Sequence, residues 1–320
     1  MKAIRLHDYG TPESLVIEDV PVPEIKGNEV LVKVHAASVN PIDWKKGSGA
    51  MKEIFPVHFP WIPGEDFAGT IAAIGKEVHD FKVGDEVYGD TGHGGAYAEY
   101  VAVKPGIIAK KPTALSFSEA ASVPVVAETA WQGLFKYAKL EKGQTILIHG
   151  GAGAVGAYAV QFAHLIGAKV FVTASATDQD FLKSIGADQV LDYKTTRFEE
   201  ELSDIDVVFD LVGGDNQLRS FKVMKPGGIL VASTQPIDEE QAVRHQVTGV
   251  FMDMKPSREG LNRIAELLDN GELRTTIANT YPLEQASSGW NDIAGRHSNP
   301  AASTVPKEKS RNGKTVLQVI

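Results

Sequence analysis

The chain has 320 residues, 43% of them hydrophobic and 23% charged, enough for two ordinary domains with sizeable cores. A net charge of -9 argues against non-specific attraction to nucleic acid or to anionic membranes. The absence of cysteine removes disulfides, thiolate zinc sites and cysteine nucleophiles together, and it fits a reducing cytoplasm.

The opening MKAIRLHDYG has no apolar signal-like core, and no later run approaches the length of a membrane span. A cytoplasmic protein without a membrane partner is expected. Through about residue 120 strand-like text alternates with turn signals. NEVLVKVHAASVN (28–40) predicts one strand, and GTIAAIGKEVHDFKVGDEVYGD (69–90) predicts two around a charged turn at Lys82–Asp85. Many-stranded segments of this kind tend to close into a barrel or sandwich.

From about Gln144 the rhythm changes. Strands are predicted at Thr145–His149, Lys169–Ala174, Val190–Asp192, Asp206–Leu211, Gly228–Ser233 and Gln246–Met252. Helices are predicted over Ala154–Ile166, near Asp178–Ile185 and over Ser257–Leu268. Buried apolar runs separated by helices are the pattern of a parallel sheet of βαβ units. After Asn270–Gly271 strand-like text returns, Ser298–Gly313 reads as an exposed loop, and the closing GKTVLQVI rejoins the first domain. The expected fold class is α/β: a β-rich domain from 1–124 and 271–320, and a doubly wound domain at 125–270.

Residues 151–156 read G-A-G-A-V-G, between a buried strand and an amphipathic helix, with a second strand beyond. Gly151 is expected to permit the tight turn, Gly153 to let backbone approach a pyrophosphate, and Gly156 to let the helix pack close to the sheet. Ala154 and Val155 open the helix whose free N–H groups would meet the anion. NAD-binding units carry an acid about 20 residues further on. Here Ser175 stands 19 residues after Gly156. A carboxylate would repel a 2′-phosphate and a serine can donate to it, so NADP(H) is favoured. The competing reading makes Ser175 a plain strand end and assigns the ribose to Asp178.

Further segments carry a family likeness: VLVKVHAASVNPIDWKKG, PGEDFAGTI, VGDEVYG, GGAYAEYV, AASVPVVAETAWQGL, IGADQVLDY, FDLVGG, MKPGGILVAS, LLDNGELRTTI and GKTVLQV. In this order and spacing the chain resembles the zinc-independent medium-chain dehydrogenase/reductases, in their quinone oxidoreductase and enone (alkenal) reductase branch. The resemblance covers nearly the whole length. It implies a GroES-like catalytic domain, a Rossmann cofactor domain, NADPH, and hydride transfer to a quinone or to the C=C bond of an α,β-unsaturated carbonyl. It also implies a homodimer joined through the strand at Gln246–Met252, which reads as a sheet edge.

Zinc relatives carry a cysteine and a histidine ligand where this chain has Asn40 (in NPID) and Glu65 (in GED), so no metal is expected. By resemblance Asn40 lies beside the nicotinamide and the substrate carbonyl; a simple Asn-Pro turn is the other reading. Asp43 would fix that loop, and His58 and Lys46 are the only obvious acids near it. The resemblance puts Thr129 near the nicotinamide and Tyr193 on the adenosine side. Val212, Gly213, Ser233 and Thr234 would border the cofactor, and Lys314 would lie near its phosphates. Relatives often carry a lysine near Asp178 for the 2′-phosphate, whereas here Lys183 sits deeper in the helix. With no evident acid–base pair, a cofactor-binding protein of regulatory or structural role stays open as the second reading.

Overall fold

Six apolar runs form one parallel sheet in a computed structural model, of which residues 1–297 and 312–320 are described. In chain order its strands are Thr145–His149, Lys169–Ala174, Gln189–Asp192, Ile205–Asp210, Met224–Ala232 and Thr248–Phe251. Counted this way they lie in the order 3-2-1-4-5-6, every pair parallel. This is the order of a doubly wound Rossmann sheet. Ile146, Leu147, Ile148, Val207, Val208 and Phe209 are all buried, as strands covered on both faces require. The helix Ala154–Leu165 follows the first strand and buries Tyr158 through Ala163.

Besides a two-stranded ribbon of Lys2–Arg5 and Val16–Asp19, a second large sheet has seven mostly antiparallel strands. Its centre is the long strand Val30–Val39, which pairs with Asp66–Ile74 and Lys314–Gln318 and, over its first residues, with Tyr100–Val103. That strand alternates buried and partly open residues at its start and is wholly buried from Ala36 on, where the short helix Phe117–Ala121 packs against it. The two strands read around Lys82–Asp85 are Asp66–Ile74 and Glu86–Asp90, paired antiparallel. Thr315 stands opposite Val39, so the end of the chain does return to the first domain, in the seven-stranded sheet.

The chain divides into two compact units, Met1–Val125 with Pro256–Ile320, and Val126–Lys255. The second crossing therefore falls before the helix Arg258–Asp269 and not at residue 271 as expected. That helix is held by the first unit: Tyr88 OH donates to Leu261 O at 2.7 Å, and Arg258 Nε donates to Pro105 O at 2.9 Å. Helical periodicity alone could not say which sheet the helix would cover. The loop read at Ser298–Gly313 lies outside the described residues up to Arg311.

Candidate functional site

In the Val126–Lys255 unit the glycine segment follows the first strand of the sheet, where the strand order reverses between strands 1 and 4. Ligands of such sheets bind at the carboxyl ends beside that reversal. The left-handed turn belongs to Gly150, with φ +73°, and not to Gly151. Gly151 is required by proximity instead, since a Cβ there would stand 2.1 Å from Val172 Cγ1 on the neighbouring strand. A Cβ on Gly156 would meet Gly150 O at 2.4 Å, so this glycine lets the helix press onto the loop. Gly153 is the helix N-cap, and its missing Cβ would have only Gly150 O, at 3.3 Å, within 4 Å. Ala154 and Val155 begin the helix, with their N–H groups in its unsatisfied first turn. The glycines thus open bare backbone at a helix N-terminus, where an anion is favoured.

The other expected cofactor residues of this sheet end up at neighbouring carboxyl ends. Ser175 follows strand 2 and Tyr193 follows strand 3, with Tyr193 N–H donating to Ala174 O at 3.2 Å. Tyr193 is 57% exposed, so its ring does not cover core. Val212 and Gly213 follow strand 4, their N–H groups held by Asp210 Oδ1 at 3.0 and 2.8 Å. Ser233 and Thr234 follow strand 5. Thr129 lies inside the helix Pro124–Trp131, half-buried.

His149, buried at the end of strand 1, was not singled out by the sequence. Its Nδ1 meets Thr173 Oγ1 and its Nε2 meets Ser220 Oγ, each at 2.8 Å. Burial pushes its pKa down to about 4, so the neutral ring joins two strands and a helix just before the glycines.

In the first unit Asn40 is fully buried and caps the helix Pro41–Gly47. Its backbone N–H donates to Asp43 Oδ2 at 2.8 Å, so Asp43 does fix this loop. The Asn40 side chain donates through Nδ2 to Asp66 Oδ2 at 2.8 Å and accepts from Lys314 Nζ at Oδ1. Lys314 also lies 3.4 Å from Asp66 Oδ2 and is buried. Its ammonium, expected at cofactor phosphates, is thus committed to Asn40 and Asp66. Asp66 is further held by Ser38 Oγ and by the N–H of Val125, each at 2.8 Å.

Glu65, at the position of the zinc relatives' histidine, is ion-paired with buried Lys46, whose Nζ also lies 5.3 Å from the Phe55 ring centroid. Lys46 is therefore no surface residue. The two positions that could have carried metal ligands each meet a lysine, and among the described residues no group of three potential ligands gathers. Burial raises Asp43 to about 8, helped by the nearby Glu65 charge, and raises Asp90 well above its ordinary range. Burial also lowers Lys314, against the pull of Asp66.

Two family models match: an alcohol dehydrogenase GroES-like domain over residues 26–113, and a zinc-binding dehydrogenase domain over 185–299. The chain is 39% identical to a 2-methylene-furan-3-one reductase of Solanum lycopersicum, covering 87% of this chain and 71% of that protein. It is 34% identical to an NADPH-dependent alkenal/one oxidoreductase of Arabidopsis thaliana, over 93% of this chain and 77% of the other. The solved quinone oxidoreductase of Coxiella burnetii superposes with a TM-score of 0.87 at 34% identity, covering 100% of this chain and 99% of that one. With lysines at Asn40 and Glu65 and a glycine cradle at the sheet reversal, the chain belongs to the zinc-independent medium-chain dehydrogenase/reductases, in the branch of quinone oxidoreductases and enone reductases.

Proposed function

We propose that this protein is an NADPH-dependent oxidoreductase that reduces quinones or the C=C bond of α,β-unsaturated carbonyls without zinc. The observation that carries this reading is the likeness to reductases of both substrate types over nearly the full chain. The glycine cradle, with a serine where NAD-binding units carry an acid, supports the choice of cofactor. When bound, the cofactor supplies hydride; the chain's own work is to hold it and to keep the reacting carbon dry and aligned.

Gly151, Gly153 and Gly156, with Ala154 and Val155, hold the pyrophosphate; Ser175 and Tyr193 take the adenosine side; Val212, Gly213 and Ser233 border the rest, and Thr129 faces the nicotinamide. Asn40 is the residue that meets the substrate carbonyl. Its amide links Lys314 to Asp66 and keeps a second Nδ2 hydrogen, which is the one a substrate oxygen could accept. The protein works as a homodimer joined through the edge strand Thr248–Phe251. NADPH oxidation is to be followed with a panel of quinones and simple enones, in the presence of a chelator. Turnover with at least one class is expected; none with either, despite NADPH binding, would favour the regulatory or structural reading and overturn this one.

A further inference from the structure

Beyond the residues named so far, we propose that Lys194 is the cation that recognises the 2′-phosphate of the cofactor, with the hydroxyl of Ser175 beside it. This rests on the NADPH reading and names what enforces it. Strands 2 and 3 pair in parallel with Ala174 opposite Asp192, so Ser175 and Tyr193–Lys194 leave the sheet side by side. The link persists past the last strand pair, since Tyr193 N–H donates to Ala174 O at 3.2 Å.

The turn carrying the lysine is fixed from below by Asp192. Its Oδ1 accepts the Lys194 N–H and its Oδ2 accepts the Thr195 hydroxyl, both at 3.2 Å, while its carbonyl takes the N–H groups of Thr195 and Thr196 at 3.1 and 2.8 Å. The side chain itself is exposed, with Nζ 5.7 Å from the Tyr193 ring centroid. Among the described residues no carboxylate pairs with it, in contrast to Arg197, which is tied to Glu199 and Glu200. Thr177 Oγ1 donates to Ser175 Oγ at 3.2 Å, which leaves the Ser175 hydrogen for an outside acceptor. A phosphomonoester dianion needs a cation and hydroxyl donors from one side, and these side chains supply both. The expected lysine near Asp178 is missing from its usual place on the helix, and Lys194 brings the charge from the adjacent strand instead.

The test measures binding, by calorimetry, of 2′,5′-ADP, 5′-AMP, NADPH and NADH to the full chain, to Lys194→Met and to a control, Lys183→Met. Lys194→Met is expected to weaken 2′,5′-ADP and NADPH by ~10-fold or more, the loss of one charge-assisted contact. It should leave 5′-AMP and NADH unchanged, and Lys183→Met should match the parent throughout. If the parent prefers NADPH and Lys194→Met keeps that preference, the assignment of Lys194 is overturned while the cofactor reading stands. If the parent binds 5′-AMP as tightly as 2′,5′-ADP, both fall.

Discussion

Asp66 and Asp43 sit in one buried cluster, yet their environments differ in what they ask of the carboxyl group. Asp66 receives Ser38, Asn40, Val125 and the Lys314 ammonium. Asp66→Asn would strand that ammonium without its counter-charge, and a loss of about 3–5 kcal/mol in denaturant unfolding is expected. Among the described residues Asp43 receives only the Asn40 N–H and the Tyr97 hydroxyl, both on Oδ2, in sight of Glu65, Asp66 and Lys314. Its pKa, raised to about 8 from 3.8, means that the folded chain keeps a proton that the unfolded chain has released by neutral pH. Its contribution to stability is therefore complete below about pH 4 and is lost as pH rises to about 8. Asp43→Asn should remove this slope, so urea melts at pH 5 and pH 8 should favour the variant progressively over the parent as pH rises. A parallel pair of curves would show that Asp43 is ionised in the fold. At Ser175, introducing aspartate should weaken NADPH by about 1.5–3 kcal/mol, from a lost donor plus repulsion. Fluorescence titration that shows no change for NADPH would return the ribose to Asp178.

At the scale of elements, the glycine loop separates folding from binding. Gly151→Ala must move Val172 on the adjacent strand, and about 1–3 kcal/mol of destabilisation is expected. Gly153→Ala has only Gly150 O near it, and the backbone there is ordinary for alanine, with φ -71°. Its melting temperature should stay close to the parent's, while NADPH affinity falls because the methyl occupies the approach of the pyrophosphate. Calorimetry beside thermal melts distinguishes the two, and an unchanged NADPH affinity in Gly153→Ala would remove the pyrophosphate from this loop. The motif was legible in the sequence because its spacing is local. Its division of labour was not: the left-handed turn fell to Gly150, and the need for Gly151 arises from Val172, more than twenty residues on.

For the whole molecule, the strand Thr248–Phe251 pairs on one side with Met224–Ala232, and among the described residues no strand takes its other edge. Met252 N–H donates inward to Ala232 O at 2.9 Å. Strand parity then turns the Val250 N–H inward too, and those of Gly249 and Phe251 outward. Phe251→Pro is accordingly the substitution that removes an outward donor and spares the inner ladder. Light scattering is expected to give about twice the 34.4 kDa of one chain for the parent and the single-chain mass for Phe251→Pro. A parent that runs as a single chain at micromolar concentration would end the dimer proposal. On the question of membranes, no helix among the described residues is long and apolar enough to cross one.

The sequence by itself determined the parallel sheet, the cradle between its first strand and helix, the return of the last strand and the family. Each is written in contiguous residues, as apolar period, glycine spacing or turn chemistry. Only the tertiary structure decided that Lys314 would close on Asn40 across 274 positions, that Lys46 would be buried against Glu65, and that Lys194 would emerge beside Ser175. It also decided that the helix Arg258–Asp269 would join the first unit. These contacts depend on which strands become neighbours and on which buried charges then have to find partners, and neither is encoded in any local stretch of chain.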